Sequence, residues 1–190
     1  MSKRHLRVQN GVLELSRYLQ HAPTALGVLL SGRVPAALRE RTLLAVSVAN
    51  RCRYCAFVHA LWARLTGVEA PQIEALLRST ADDEVALGVA RQFVAEGGAL
   101  SDEARRSLVE AYGDKLARDI EALLHLIDLA NLSGNTFDAF LARLRAPQPF
   151  DAQAALETLF FQSTAAVYLP LLGIIALARR NVSWLKDLPS

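Results

Sequence analysis

The sequence predicts an all-α protein, and three observations carry that expectation. Alanine (31) and leucine (33) supply 64 residues, against 19 for valine and isoleucine together; small and straight-chain residues lose little entropy in helices, whereas β-branched ones favour strands. Apolar residues recur at helical spacing along most of the chain. No strand-like alternation of useful length, low-complexity tract or internal repeat is visible. With 190 residues the chain can bury a sizeable core, and 52% hydrophobic against 21% charged residues excludes a disordered chain.

The breaks between helical stretches predict the elements in order. A first helix is expected over about Leu6 to Gln20, then a short one after Pro23 that stops near Gly32. Pro35 suits a first helical turn, where a missing N–H costs nothing, and leads a helix from Ala36 to about Ala49 that contains Glu40. The next is expected from Asn50, a good N-cap, to Gly67 as a left-handed terminator. Pro71 opens a short helix ending near Ser79. Asp82 and Asp83 precede the stripe Val85, Val89 and Phe93, which Gly97-Gly98 ends. Ser101-Asp102-Glu103 reads as an N-cap with acids in the first turn. Leu116, Ile120, Leu123, Leu124 and Ile127 form a core stripe, interrupted at Asn131-Leu132-Ser133-Gly134-Asn135 and resumed over Thr136 to Leu144. Pro147 and Pro149 then set off a last segment, Asp151 to about Arg180.

Within that segment, Leu159 to Ala178 is a run of 20 residues without a formal charge, long enough to be weighed as a membrane span. Gln162, Ser163, Thr164 and Pro170 interrupt it, and Arg179, Arg180 and Lys186 would have to cross the bilayer. A helix apolar all round is otherwise buried in a core or an oligomer interface. The expectation is a catalytic helical domain over 1–146 and an apolar packing or interface helix over 147–190, without a membrane.

Lysine plus arginine is 21 and aspartate plus glutamate 19, a net charge of +2. That balance is too even for nucleic acid to be the partner. The only cysteines, Cys52 and Cys55, close too small a loop for a secreted disulfide framework, and the N-terminus shows no signal peptide. A cytoplasmic, reducing setting is expected, where a C-x-x-C more often binds metal or does redox work.

The chemistry concentrates between Arg39 and His59. On a helix Cys52 and Cys55 are three apart and Cys55 and His59 four apart, so all three share a face, which Trp62 continues. Val58, Leu61 and Leu65 lie beside it and should screen the thiols. The helix N-terminus, Arg51, Arg53 or a protonated histidine would lower a thiol pKa, and a thiolate is the nucleophile. A sulfenic acid on one sulfur can condense with the other thiol. Glu40 precedes Cys52 by twelve residues, about 18 Å in one continuous helix. A chain reversal at Asn50 would bring it to His59, which could then relay protons to the pair.

The string E-x11-C-x-x-C-x3-H, as Glu40, Cys52, Cys55 and His59, resembles the AhpD-like alkylhydroperoxidase branch of the carboxymuconolactone decarboxylase family. RERTLLAVSVANRCRYCAFVHALWARLTGV is similar to that family's core hairpin, and Asn131 to Phe137 resembles a stretch found in relatives; the likeness spans about Pro35 to Leu144. The resemblance implies an all-α bundle around the Cys-bearing helix, assembled as a trimer or hexamer, that reduces hydrogen peroxide or organic hydroperoxides without a cofactor or metal. It makes Cys55 the peroxidatic cysteine, Cys52 the resolving thiol and proton donor, and His59 with Glu40 the proton relay. A dithiol donor such as a lipoylated or thioredoxin-like protein would reduce the pair. Tyr54 stands where some peroxidases of the family carry histidine. Decarboxylases of the wider family generally lack the cysteine pair.

Plainer readings stand beside these. The cysteines can be two small buried hydrophobes, or with His59 three zinc ligands completed by His125, Glu40 or another subunit. The same pair could serve a general dithiol–disulfide oxidoreductase or a redox sensor. Glu40 can pair with Arg39, Arg41 or Arg51. His5, His21 and His125 read as surface or loop residues, Trp62 as core, and Arg105-Arg106 and Arg179-Arg180 as solvated faces or interface edges. Asn131 and Asn135 are expected to bond backbone at the helix interruption.

Overall fold

A computed structural model describes residues 3–9, 11–80, 84–146 and 149–181; among these there are seven helices and no strand, in line with the composition. Pro35 opens α2 (Ala36–Ala49) where the sequence places it. Residues 42–47 of α2 are all buried. The helix packs on α3 (Arg53–Leu65), α4 (Ala70–Leu77), α5 (Val85–Ala95) and α6 (Asp102–Arg145). The bundle is therefore built around α2, with the cysteine-bearing α3 beside it. The hydroxyls of Thr42 and Ser47 are buried too, and donate to Leu38 O (2.9 Å) and Leu43 O (2.7 Å) of their own helix, so neither is left unpaired. Asp82 and Asp83, read as the lead-in to α5, lie outside the described residues.

Two N-terminal expectations change. Leu6 is not helical: residues 3–7 run outside any helix along α6, with Leu6 N–H donating to Thr136 Oγ1 at 2.9 Å. The two helices expected on either side of Pro23 are one, α1 (Gly11–Ser31). An interior proline removes a helix bond and crowds the preceding turn, at a cost of about 3 kcal/mol. Packing of α1 on α6, with Tyr18, Ala25 and Val28 buried, offsets that cost. Gly32 at φ +63° ends the helix, its N–H on Val28 O at 3.0 Å.

α6 starts as its sequence indicates, with Ser101 Oγ accepting from Ala104 N–H at 3.2 Å. The expected interruption at residues 131–135 is absent, and the break falls at Gly113 (φ 75°, ψ 161°), a conformation open to glycine alone. Weak helix formers at 131–135 stay helical because tertiary contacts override propensity: Asn131, Leu132, Gly134 and Asn135 are all buried.

His125 is a further correction. Read as a surface or loop residue, it is buried in α6 with its ring stacked on His21 at 4.0 Å and edge-on to Phe93 at 5.0 Å. The Leu116 to Ile127 stripe marks one buried face of α6, and α1 covers a second. Burial, with His21 adding to it, pushes the His125 imidazole down to about 4.

α7 (Ala152–Asn181) packs on α3 and α6 through Phe161, Ala165, Tyr168, Leu171, Leu172 and Ile175. The opposite face is not buried within the chain: Leu159, Val167, Leu169, Ile174 and Leu177 are exposed. Among the described residues, Ala152–Ala178 is the one helix long and apolar enough to cross a membrane. The side chains of Arg179 and Arg180 lie outside the described residues.

Asp128 ties four segments together. Its carboxylate is fully buried and accepts from Asn50 Nδ2 (2.7 Å), Arg4 Nη1 (2.9 Å) and Tyr18 OH (2.9 Å). Removing one member of such a cluster leaves the others desolvated without a partner. Asp128→Ala is expected to lower stability by about 3–5 kcal/mol, read as a drop in the urea midpoint, and Asp128→Asn by less because an acceptor oxygen remains.

Candidate active site

The site begins with the way α2 ends. Cys52 N–H donates to Ser47 O and Arg51 N–H to Val48 O, both at 2.9 Å, with Arg51 in the left-handed region at φ 57°. These paired bonds form a Schellman closure. Asn50 is thus the C-cap of α2, not the N-cap of α3, and its side chain is spent on Asp128. The N-cap of α3 is Cys52 itself, in extended conformation. Both sulfurs consequently sit in the opening turn of α3, Cys52 at the cap and Cys55 three residues on.

This reversal folds α3 back along α2 and brings Glu40 Oε2 to 2.8 Å from His59 Nδ1. Arg39 Nε donates to the other carboxylate oxygen at 2.8 Å, while Arg41 is taken up by Glu84. The ion-pair and histidine readings of Glu40 therefore hold together. Burial pushes the Glu40 carboxyl up, and the hydrogen bonds and charges of His59 and Arg39 outweigh it, leaving it below the ordinary carboxylate range. With Glu40 ionised, Nδ1 of His59 donates, which leaves Nε2 as the ring's unprotonated end or second donor. His59 lies one turn beyond Cys55, so their Cβ atoms are about 5–6 Å apart.

The two thiols differ. Cys52 is fully buried and Cys55 half-buried. Burial pushes the Cys52 thiol up, but the Cys55 thiol, the backbone N–H groups of Cys55 and Tyr54 and the Lys3 charge more than reverse this. Sharing a proton with Cys52, together with burial, holds Cys55 well above the usual thiol range. Of the two, the inner sulfur is therefore the one that gives up its proton more readily, with the outer thiol donating to it.

Residues of α6 and α7 form the wall behind the thiols. A Cβ added at Gly134 would stand 2.9 Å from both Cys52 Sγ and Tyr54 Cδ2, so a hydrogen is all this position admits. Tyr168 of α7 packs its ring on Tyr54 at 4.9 Å, and its hydroxyl meets Ser133 Oγ at 2.7 Å. Burial, with the charges of Cys55 and Cys52 adding, pushes the Tyr168 phenol up to about 12. Tyr54 donates to Asp138 Oδ1 at 2.6 Å, and Asp138 also receives Arg53 and Lys3. Tyr54 is thus a buried strut with its hydroxyl committed to Asp138.

Other expectations fare unevenly. Trp62, read as core, is 52% exposed, and Leu61 and Leu65 are exposed as well, so Tyr54, Gly134 and Tyr168 screen the thiols in their place. Asn135 Nδ2 bonds backbone as expected, to Asn50 O (2.9 Å) and Arg4 O (2.7 Å), but across the fold and not at a helix break. Asn131 is fully buried, and neither amide atom has a hydrogen-bond partner. His125, weighed as a fourth zinc ligand, lies beside His21 and Glu121, and among the described residues that trio is the cluster with metal-binding proximity. Ser133 and Gly134 were legible only as part of the stretch resembling relatives. Tyr168 left no signal in an apolar run.

An all-α protein whose paired thiols stand one turn from a histidine–carboxylate couple is what this fold and site define. Residues 17–95, from within α1 to the end of α5, match the model of the carboxymuconolactone decarboxylase family. The match contains Glu40, Cys52, Cys55 and His59; it begins before Pro35 and does not reach Asn131 to Phe137. No curated protein and no solved structure matches the chain.

Two outcomes test this geometry. Gly134→Ala should lower stability by about 1–3 kcal/mol through overpacking. Gly88→Ala in α5, where an added Cβ meets nothing within 4 Å, should raise it by up to about 1 kcal/mol; thermal unfolding of the two variants compares them. For Glu40 the folded carboxyl releases its proton more readily than the unfolded one, so its contribution to stability is complete above about pH 4.5 and drains away as the pH falls through the lowered value. Glu40→Gln should remove that part of the acid slope in denaturant midpoints measured against pH.

Proposed function

We propose that the protein is a thiol peroxidase of the AhpD-like type, reducing hydrogen peroxide or an organic hydroperoxide. The observation that carries this reading is the arrangement of the pair: Cys52 is buried, Cys55 is partly accessible to a small reactant, and His59, held by Glu40, stands one turn beyond Cys55. Transfer of the Cys55 proton to Cys52 produces a nucleophile at the accessible sulfur. Cys55 attacks the distal peroxide oxygen, the O–O bond breaks, and an alcohol or water leaves as Cys55 becomes a sulfenic acid. Cys52 then attacks that sulfur and hydroxide departs as water, which leaves a Cys52–Cys55 disulfide. His59, oriented by Glu40, supplies or removes the protons, through water where its ring does not reach the sulfurs.

A dithiol donor, such as a lipoylated or thioredoxin-like protein, closes the cycle by exchange. We place the protein in the cytoplasm, where thiols stay reduced. We also expect a homo-oligomer: the outward apolar faces of α1 (Leu15, Leu19, Leu26, Leu30) and α7 are the kind of surface that subunits cover.

Mass spectrometry of the peptide holding both cysteines, before and after one equivalent of peroxide, tests the reaction, with consumption followed in the presence of dihydrolipoamide. Wild type should lose two hydrogens at the pair and turn over. Cys55→Ser should be inactive, Cys52→Ser should accumulate a trappable sulfenic acid at Cys55, and His59→Ala or Glu40→Gln should slow turnover by about 10²-fold or more. Unchanged thiols, or a single oxidation without turnover, would sink the proposal.

A further inference from the structure

We propose that His21, Glu121 and His125 form a binding site for a divalent metal of the zinc type, distinct from the thiol pair. Glu121 and His125 are four apart on α6 and therefore share a face, and His21 comes to them from α1. One ligand atom from each lies within 4.8 Å of the other two. Zinc bonds of about 2.0–2.2 Å in tetrahedral geometry set ligands about 3.4 Å apart, so the set closes once the His21 ring turns out of its stack on His125. Two imidazoles and a carboxylate suit zinc, and three protein ligands leave one position for water.

The second observation is His125 itself. It is 5% exposed, and its buried Nδ1 has no hydrogen-bond partner. A buried imidazole nitrogen without a partner is costly, and a bound cation removes that cost. Edge-on contacts with Phe93 and Tyr18 hold the His125 ring in place, while the half-buried His21 ring, stacked parallel to it at 4.0 Å, is the one that turns to aim a nitrogen at a shared ion. Glu121 is equally well placed: Arg105 grips its oxygens at 2.8 and 3.4 Å, leaving further lone pairs for a metal. Such an outer partner orients a ligating carboxylate. Gly134, where α6 meets the thiols, is nine residues beyond His125, about 14 Å along the helix axis.

The test uses the full chain carrying Cys52→Ser and Cys55→Ser, which removes the competing sulfur ligands. Equilibrium dialysis against zinc should find one bound equivalent. His21→Ala, at a half-buried position on α1, and Glu121→Gln should each weaken binding by about tenfold or more, with circular dichroism checking that both stay helical. Cobalt in place of zinc should give visible d–d bands without the near-ultraviolet charge-transfer band of a thiolate complex. No bound zinc in the cysteine-free chain, or affinity unchanged by His21→Ala, would overturn the assignment and leave water as the partner of His125.

Discussion

The reversal of the chain at Asn50, Arg51 and Cys52 is the constraint on which the site depends. Two backbone bonds end one helix while Cys52, which donates one of them, begins the next, so no spare linker separates α2 from α3. A connection that short forces the helices side by side and places Glu40 against His59, residues that a continuous helix would hold far apart. The turn does not stand alone. Asp128 grips the Asn50 amide, and Asn135 donates to the Asn50 carbonyl, so α6 fixes the bend from outside.

Three of the carboxylates, Glu40, Asp128 and Asp138, are held in connected sets, which is what makes their burial tolerable. Glu40 answers both Arg39 and His59, Asp128 answers Arg4, Tyr18 and Asn50, and Asp138 answers Lys3, Arg53 and Tyr54. Each carboxylate joins segments distant in sequence, so the low dielectric that would penalise a lone charge instead strengthens several directed bonds. The extended N-terminal segment takes part twice, through Lys3 and Arg4, and so belongs to the support of the thiol helix.

Local signals were readable and shared surfaces were not. Pro35, Gly32, Gly67 and Ser101 mark helix ends through chemistry confined to a few residues, and the spacing of Cys52, Cys55 and His59 follows from helical geometry alone. Asn50 misleads because an asparagine suits either end of a helix, and only Asp128, 78 residues away, decides its role. The polar stretch at 131–135 reads as a break because its packing against α3 lies outside any local window. His125 reads as exposed because the second buried face of α6 exists only once α1 lies on it. Trp62 errs the other way: its register continues the cysteine face, but among the described residues no helix buries it.

The placement of Cys52 at a helix cap bears on the energetics of its oxidation. The backbone dipoles and neighbouring proton that favour a negative sulfur there act on the open dithiol and have no counterpart once that sulfur is bonded to another. Stabilising the electron-rich partner of a couple makes the electron-poor partner a stronger acceptor. The same bend that assembles the residues would therefore leave a bridged Cys52–Cys55 pair eager to take electrons back.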